Sequence, residues 1–397
     1  MKILCILCRD PFLESDGANY AIRANLRLLS QQHDVKVTGF GVTFDQPMIG
    51  SYRSCGSLGV VVNSKVGFLL SLLRGKPYTV TKYGSLQAQA KLALILSKEA
   101  IDCLWFEQTQ SAFVATESGV LPAHRPMFSV LRPHNIESNV IRGAINTRVP
   151  FAGLLLALEA RLLALAERKV FRDVDFIAAI SDTDMDTIRA TSVDAARKLV
   201  LLPVAADRMH KESSPEQVNI RNSLLFIGNC VWGANRRALE WVIDVLAPYM
   251  QEHCPEFEIR LIGKGTDTIR SASILSNTKL LGYVNDIEAE YSRAICAIAP
   301  VRDGGGVNIK VIESLTRGVP VVGSNFAKRG VVSEAYLVAE TPDEYVASIR
   351  HLSEMLNMPG RLTNDAFKFL FRSENDALRA IENIFSHRAS FVNGEIP

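Results

Sequence analysis

The stretch Pro300–Ser324, PVRDGGGVNIKVIESLTRGVPVVGS, has the clearest structural pattern in this chain. An apolar run ends at Pro300, three glycines follow, a helical pattern covers Val307–Arg317, and a valine-rich strand follows Gly318. Glycines between a strand and a helix let the backbone approach a ligand closely, and the free N–H groups of the first helical turn bind anions. The stretch therefore predicts a strand–loop–helix–strand unit of a parallel sheet, with an anion site at its loop.

Two cations and a carboxylate in the same stretch indicate the kind of anion. Arg302 precedes the glycines and Lys310 lies in the first or second helical turn, where the helix dipole by itself favours acidic residues. A bound phosphate would account for both cations. Glu313 lies on the same helical face as Lys310, and a carboxylate accepts hydrogen bonds from two neighbouring hydroxyls. The alternative is an ordinary strand–helix unit with a surface Lys–Glu pair.

Short apolar runs and helical patterns alternate along the rest of the chain. The first series begins with the strand Lys2–Cys8, includes a short strand Val60–Asn63 and ends with the strand Leu199–Pro203. The second series begins with the strand Leu224–Gly228 and ends with the helix Pro342–Leu356. Such alternation predicts two doubly wound, Rossmann-like α/β domains, in which ligands bind beyond the carboxyl ends of parallel strands.

Length and composition agree with this organisation. The 397 residues are 48% hydrophobic, which suits two or three domains with real cores. We predict a first domain over residues 1–204, a polar linker over 205–222 and a second domain over 223–373. The net charge of +2 carries no basic surplus, so we expect no nucleic-acid partner.

The cysteines indicate a reducing compartment. Their number, seven, is odd, and they are scattered and mostly lie in apolar runs, which favours free thiols in the cytoplasm over a disulfide framework. Cys5 and Cys8 form a C-x-x-C motif, but residues three apart on a strand face opposite sides and make a poor metal or redox pair. Met1-Lys2 leads directly into a strand, so we expect no secretory signal.

The spacing P-x-R-x-G-x-G-x-x-x-K-x-x-E, followed by G-x-P-V-V, resembles the nucleotide-sugar site of GT-B glycosyltransferases, specifically the retaining family 4. The resemblance implies a GT-B fold, with the two domains facing each other across a cleft and a last helix, within 374–397, returning to the first domain. It assigns the donor diphosphate to Arg302 and Lys310 and the ribose hydroxyls to Glu313. Backbone contacts to the donor would come from Gly304, Gly305, Gly306 and Val307.

One position departs from the family pattern. Many members carry a glutamate where this chain has Gly305, and that acid contacts hydroxyls of the donor sugar. The glycine matches a glycine-rich subgroup of the family.

Other loops after strands resemble the family too. Phe226–Asn235, FIGNCVWGAN, resembles the opening of the second domain and makes Gly228 and Asn229 candidates for a phosphate or sugar contact. In the same segment Asn235 is predicted as the N-cap of the next helix. Leu280–Val284, LLGYV, lies where the family packs the nucleobase, so Tyr283 and Val284 are candidates for base contact.

The first domain supplies four further candidates. Arg132–Arg142, RPHNIESNVIR, resembles the H-N-x-E-S element of family 4, which places His134 beside the donor sugar and the β-phosphate. Asp16 and Gly17 occupy the position of a family Gly-Gly pair, and Glu107 follows a strand. We expect these last three residues on the acceptor side.

The resemblance to family 4, taken with these features, implies a retaining, metal-independent hexosyltransferase of the GT-B fold, with no cofactor besides its nucleoside-diphosphate sugar. The acceptor is expected to be a glycan or a lipid-linked saccharide, as in cell-surface polysaccharide or glycolipid synthesis. The alternatives are a nucleotide-sugar epimerase or sugar phosphorylase on the same fold, and a catalytically silent nucleotide-sugar-binding protein.

Two apolar segments flanked by cations are candidates for contact with a membrane. Val66–Arg74 and Phe151–Arg172 contain apolar stretches that are not long enough to span a bilayer, but with their flanking cations they suit the surface of an anionic membrane. This predicts peripheral attachment to the inner face of the cell membrane. The alternative is that both segments are helices half-buried in the first domain.

Overall fold

The computed structural model describes residues 1–13, 17–117, 128–143, 145, 150–191, 193–207, 222–267, 275–304, 306–356 and 373–386. The chain divides into two compact units. The first consists of Met1–Ala205 and Asn375–Pro397, and the second of Ala206–Glu374.

The first unit is built on an eight-stranded sheet. Its strands are β1 (Lys2–Leu7), β2 (Asp34–Phe40), β3 (Met48–Ile49), β4 (Tyr52–Gly59), β5 (Cys103–Glu107), β6 (Phe128–Arg132), β7 (Phe176–Ala179) and β8 (Leu199–Leu201). They lie in the order β3-β4-β2-β1-β5-β6-β7-β8. β3 pairs antiparallel with β4, and the other neighbours pair in parallel.

Helices cover both faces of this sheet. They are α1 (Gly17–Ser30), α2 (Lys65–Leu73), α3 (Tyr78–Tyr83), α4 (Leu86–Lys98), α5 (Thr109–Thr116), α6 (Glu137–Gly143), α7 (Pro150–Asp173), α8 (Asp182–Thr191) and α9 (Val193–Ala196), with a 3₁₀ turn over Val42–Asp45. Serine caps start two of them. The Ser64 hydroxyl accepts from the Gly67 N–H at 3.0 Å, and Ser85 accepts from Ala88 at 3.3 Å.

The second unit is a six-stranded, all-parallel sheet. Its strands are β9 (Ser223–Ile227), β10 (Glu258–Ile262), β11 (Thr278–Gly282), β12 (Ala294–Ala299), β13 (Val321–Gly323) and β14 (Tyr336–Val338), in the order β11-β10-β9-β12-β13-β14. Its helices are α10 (Gly233–Trp241), which continues through a π turn (Val242–Leu246) into α11 (Ala247–His253), then α12 (Ile287–Ser292), α13 (Ile309–Thr316) and α14 (Pro342–Leu356). The fold is therefore two parallel-sheet α/β domains, as predicted.

A last helix, α15 (373–386), lies at the end of the described chain. Its apolar side chains Ala377, Ala380, Ile381 and Ile384 are buried in the same core as Ile3 of the first strand. The ring of Phe385 also packs on those of Trp105 and Phe128, with centroids 6.5 and 5.5 Å apart. The packing of α15 thus ties the end of the chain to the first unit.

The predicted strand Val60–Asn63 is wrong. The strand at this position is β4, Tyr52–Gly59, and residues 60–63 have no regular structure. β4 is half-buried and rich in serine and glycine, because it lies next to the short edge strand β3. Its parallel pairing with β2 determines its position, and no apolar run marks it in the sequence.

The strand order places a topological switch point in each sheet. In the second sheet the order reverses between β9 and β12, and in the first between β1 and β5. Ligands of doubly wound sheets bind beyond the carboxyl ends of the strands at such points. The loops that follow β9 and β12, and those that follow β1 and β5, are therefore the ones to inspect.

Candidate functional site

The loop between β12 and α13 has the geometry that its glycines predict. Gly304 and Gly306 have φ angles of +123° and +67°. Residues other than glycine rarely adopt such positive φ angles. Asn308 caps α13, and its Oδ1 accepts a hydrogen bond from the Lys310 N–H at 3.2 Å. Val307, beside this cap, is buried. Gly305 lies outside the described residues.

Lys310 and Glu313 form an ion pair in the first turns of α13. Lys310 Nζ lies 2.7 Å from Glu313 Oε2, and Glu313 is only 4% exposed. The other oxygen, Oε1, lies 3.4 Å from Arg317 Nη1, and Arg317 in turn binds Glu288 at 2.8 Å. The Arg317 guanidinium also covers the ring of Tyr291, 4.6 Å from its centroid. The Glu313 carboxylate is thus held on both oxygens, by Lys310 and by Arg317.

Arg317 is charged in this setting. Burial opposes the charge, but the hydrogen bond with Glu288 and the charge of Glu313 outweigh burial and raise the pKa of the guanidinium. Sequence reasoning missed Arg317. Its spacing of four residues from Glu313 was the available signal.

Arg302 contacts a different set of groups. Its Nη2 donates to the Glu340 carbonyl at 2.5 Å, and its guanidinium lies 5.1 Å from the centroid of the Trp241 ring. The neighbouring Asp303 pairs with Arg237 Nη2 at 2.7 Å. These contacts anchor the glycine loop to α10 and to the start of α14, and they do not bring Arg302 to the Lys310–Glu313 pair.

Asn235, which was predicted to cap the helix after β9, instead forms a hydrogen bond with the loop that precedes this helix. Asn235 is not the N-cap of α10, because the helix begins two residues earlier, with Trp232 at the cap position. Its Nδ2 instead donates to the Asn229 carbonyl at 3.0 Å. Gly228 is packed so closely that a Cβ on Gly263 would lie 2.0 Å from its carbonyl oxygen. The backbone at Gly228 and Asn229 is therefore held in one position.

A small cavity lies at the switch point of the second sheet. It is bounded by the ends of β9 and β12 and by the first turns of α13, and Asn235, Asn308 and Lys310 are among its polar lining residues. Tyr283 and Val284 lie beyond the end of the edge strand β11, two strands from β9. Tyr283 is 73% exposed.

In the first unit, the register of β5 with β6 places the buried side chains of Glu107, Arg132 and His134 next to each other. Glu107 and Arg132 are direct partners at the ends of β5 and β6, and His134 follows two residues later. Glu107 Oε2 lies 2.8 Å from His134 Nε2 and 3.2 Å from Arg132 Nη1. Its Oε1 accepts from Asn25 Nδ2 at 2.5 Å and from Trp105 Nε1 at 3.0 Å.

Glu107 is fully buried, so it contacts these four side chains rather than solvent. Burial by itself would raise the pKa of its carboxyl group, but Arg132 and His134 outweigh burial and lower that pKa. Burial lowers the pKa of His134, with further lowering by Arg132 and Arg9, and the opposing effect of Glu107 does not cancel this. At neutral pH the group is therefore an ionised carboxylate beside a neutral imidazole.

Two candidates of the first unit remain, Gly17 and Asp16. Gly17 is the first residue of α1, the helix that supplies Asn25, and Asp16 lies outside the described residues. Sequence reasoning missed the roles of Arg132, Asn25 and Trp105. Arg132 stands two residues before His134 in the quoted motif. For Asn25 and Trp105 no signal exists in the sequence.

A second acidic pair lies just after His134. Glu167 of α7 accepts from the Glu137 and Ser138 N–H groups, at 2.7 and 3.3 Å, and so caps α6. Burial and the Glu167 charge raise the pKa of Glu137 to about 7. Burial likewise raises the pKa of Glu167.

Over the described residues, no group of three or more His, Cys, Asp and Glu side chains is arranged to hold a metal ion.

Comparison with known proteins links the second unit to one family. Residues 221–355 match the family model described as glycosyl transferases group 1. This range contains the loops after β9 and β12 and the Lys310–Glu313 pair. No curated protein sequence matches the chain.

Solved structures resemble the whole chain. Alr3699/HepE from Anabaena, in complex with UDP and glucose, has a TM-score of 0.63 at 12% identity, over 97% of this chain and 100% of that chain. The catalytic domain of starch synthase IV from Arabidopsis thaliana, bound to ADP and acarbose, has a TM-score of 0.64 at 10% identity, over 98% and 99%. The lipopolysaccharide outer core galactosyltransferase WaaB has a TM-score of 0.54 at 12% identity, over 96% and 99%. The two domains therefore match those of GT-B glycosyltransferase structures.

Proposed function

We propose that the protein is a retaining glycosyltransferase of family 4, which transfers a hexose from a nucleoside-diphosphate sugar without a metal ion. One observation carries the proposal. The Lys310–Glu313 pair opens α13 at the switch point of the second sheet, within the residues that match the group 1 glycosyltransferase model. A buried carboxylate beside a lysine at a helix N-terminus suits a nucleoside diphosphate, which offers ribose hydroxyls and phosphate oxygens together.

The donor diphosphate would be neutralised by protein groups alone. The Lys310 ammonium has three N–H donors, and the one that binds Glu313 leaves two for phosphate oxygens. The first-turn N–H groups of α13 and the backbone of Gly304 and Gly306 add preorganised donors, with Arg302 at the same loop. Fixed donors of this kind stabilise the negative charge that develops as the sugar–phosphate bond breaks.

Glu313 is assigned to the ribose. Its carboxylate is held by Arg317 and Lys310, so it is already oriented when a diol arrives. Gly228 and Asn229 are assigned to phosphate or sugar, and Tyr283 and Val284 to the nucleobase. The exposure of the Tyr283 ring suits a stacking contact that forms on binding.

His134 is assigned to the donor sugar, and Asp16 and Gly17 to the acceptor side. A neutral imidazole can accept a hydrogen bond from a sugar hydroxyl. For retention, we propose displacement on one face of the sugar, with the leaving phosphate taking the proton of the acceptor hydroxyl. No glycosidase-type nucleophile is required by this step.

The acceptor is proposed to be a saccharide carried on a lipid at an anionic membrane surface. α2 exposes Val66, Leu69, Leu70 and Leu73, the last at 83%, beside the cations Lys65, Arg74 and Lys76. Apolar side chains flanked by cations complement an anionic bilayer surface. WaaB, one of the structural neighbours, acts on lipopolysaccharide by its name.

Helix α7 also exposes apolar side chains that could contact a bilayer surface. It buries Leu163 and Phe171 in the domain core and exposes Leu154, Leu158 and Leu165 on its outer side. Across the described helices, none combines the length and the apolarity needed to cross a bilayer.

The testing experiment has two stages. UDP, GDP and ADP are first compared by thermal shift, and the sugars of the selected base are then incubated with the protein, with and without EDTA. We expect one diphosphate to raise Tm and one sugar donor to be consumed equally in EDTA, with the anomeric configuration retained. No shift with any nucleotide would contradict the proposal, and binding without turnover would favour a silent nucleotide-sugar-binding protein.

A further inference from the structure

The carboxylate of Glu107 has all its hydrogen-bonding capacity in use. Oε1 accepts from Asn25 and Trp105, and Oε2 accepts from Arg132 and His134. These donors come from α1, from β5, and from β6 with the loop that follows it, so three separate segments converge on one buried group. A carboxylate held in this way cannot turn towards a substrate, and its effect must pass through its neighbours.

The proton on His134 is determined by this contact. If Nε2 were unprotonated, its lone pair would face the Glu107 carboxylate oxygen at 2.8 Å, which is repulsive. Arg132 Nη1 lies 3.2 Å from the same ring nitrogen and would be the competing donor to it. An ionised Glu107 therefore selects the tautomer with the proton on Nε2, and Nδ1 is then a hydrogen-bond acceptor. No described residue forms a hydrogen bond with Nδ1.

We propose that Glu107 is a positioning residue, which holds His134 as the Nε2–H tautomer so that Nδ1 accepts a hydrogen bond from a hydroxyl of the donor sugar. The identity of the hydroxyl, as one of the donor sugar, rests on the proposed function. The tautomer of His134 does not depend on that function. Fixing one ring nitrogen with a carboxylate to define the role of the other is a general way in which proteins orient histidines.

The charges that face the imidazole are Glu107 and Arg132 from the neighbouring strand ends, and Arg9 beyond β1. Loss of the carboxylate leaves the guanidinium charges of Arg132 and Arg9 facing the imidazole. Arg132 Nη1 would then donate to Nε2, and the proton of His134 would move to Nδ1, which could no longer accept from a hydroxyl.

The test is nitrogen-15 NMR of histidine-labelled protein, with His134→Ala to assign the signal. We expect wild-type His134 to be neutral and protonated on Nε2 at pH 7, and Glu107→Gln to move most of the population to the Nδ1–H form. Asn25→Leu, which removes a donor from the other carboxylate oxygen, should leave the tautomer unchanged. A purely structural role for Glu107 would lower stability without moving the tautomer.

Two results would overturn the inference. One is wild-type His134 that is protonated on Nδ1 or on both nitrogens, which can be read even if Glu107→Gln does not fold. The other is a folded Glu107→Gln protein whose His134 keeps the Nε2–H form. Because these spectra need no nucleotide, they are independent of the proposed function. That function fails separately, if UDP, GDP and ADP all leave Tm unchanged.

Discussion

Arg317, the C-cap residue of α13, has its Nη1 3.4 Å from Glu313 Oε1, and both side chains are almost completely buried. Arg317 also binds Glu288 of α12. Arg317 therefore orients the Glu313 carboxylate, which we assign to the ribose, and links it to α12.

Removing Arg317 should destabilise the second unit. Arg317→Met leaves the buried Glu313 carboxylate without its arginine partner, and loss of one member of a buried ion pair costs about 3–5 kcal/mol. Because Glu288 is partly exposed and can be hydrated, we expect about 2–3 kcal/mol, measured by urea unfolding. Arg236→Met is the control, since its exposed pair with Glu240 should be worth less than about 1 kcal/mol. Equal stability of the two variants would show that the bridge does not support Glu313.

His134→Ala should affect turnover more than nucleotide affinity. We place the imidazole at the sugar, so removing it takes a hydrogen bond from the reacting part of the donor and none from the diphosphate. Leaving the sugar hydroxyl without its partner costs about 1–3 kcal/mol, which corresponds to a fall of about 5- to 100-fold in kcat. Diphosphate affinity should change less than about threefold by calorimetry. Collapse of that affinity with normal turnover would place His134 elsewhere.

The acidic pair after His134 should make stability depend on pH. The pKa of Glu137 is raised from 4.5 to about 7, so between these values the folded protein binds more protons than the unfolded chain. Stability from this group is therefore present at pH 4 and falls as the pH rises to 7. Glu137→Gln should stabilise the protein by about 1–3 kcal/mol at pH 8 relative to wild type.

At pH 5 the same substitution should have a smaller effect, because most of the wild-type Glu137 is then protonated. Thermal unfolding at both pH values measures the difference. A stability change that is the same at pH 5 and pH 8 would exclude a raised pKa for Glu137.

Flotation with liposomes tests the membrane surface of α2. The protein should bind vesicles that contain anionic lipid, and binding should weaken as salt rises, because the cations beside α2 are screened. Leu69→Asp with Leu73→Asp should abolish flotation. Leu94→Asp, on the exposed side of α4, is the matched control and should float like wild type. Absence of flotation with any lipid would remove the support for a lipid-linked acceptor.

Much of the fold could be predicted because the central strands are continuous apolar runs. β1, β9 and β12 are buried on both faces, and their sequences contain few polar residues. β4 could not be predicted, since its serines and glycines are positioned by pairing with β2. Helix α5 was missed for a related reason, because it is buried all round and lacks a polar face.

Some features of the candidate site could likewise be predicted from the sequence, and others could not. Lys310 and Glu313 lie within one helix, so a spacing of three residues was enough to predict that their side chains share one face. The cluster around Glu107 depends on the register of β5 with β6 and on a side chain from α1, which are contacts over 25 and 82 residues of sequence. No local pattern carries such contacts. The sequence therefore indicated Glu107 and His134 separately but not their hydrogen bond.

The affinity for a nucleoside diphosphate is the sharpest test of a donor site at Lys310 and Glu313. Isothermal titration calorimetry with UDP, or with the diphosphate selected by thermal shift, compares wild type with Lys310→Ala and Glu313→Gln. Each substitution removes a charge-assisted hydrogen bond worth about 1.5–3 kcal/mol, so each should raise Kd about 10- to 100-fold. Lys279→Ala, which removes an exposed cation of the same unit, should leave Kd unchanged. Folded Lys310→Ala and Glu313→Gln proteins that bind the diphosphate as tightly as wild type would contradict the account.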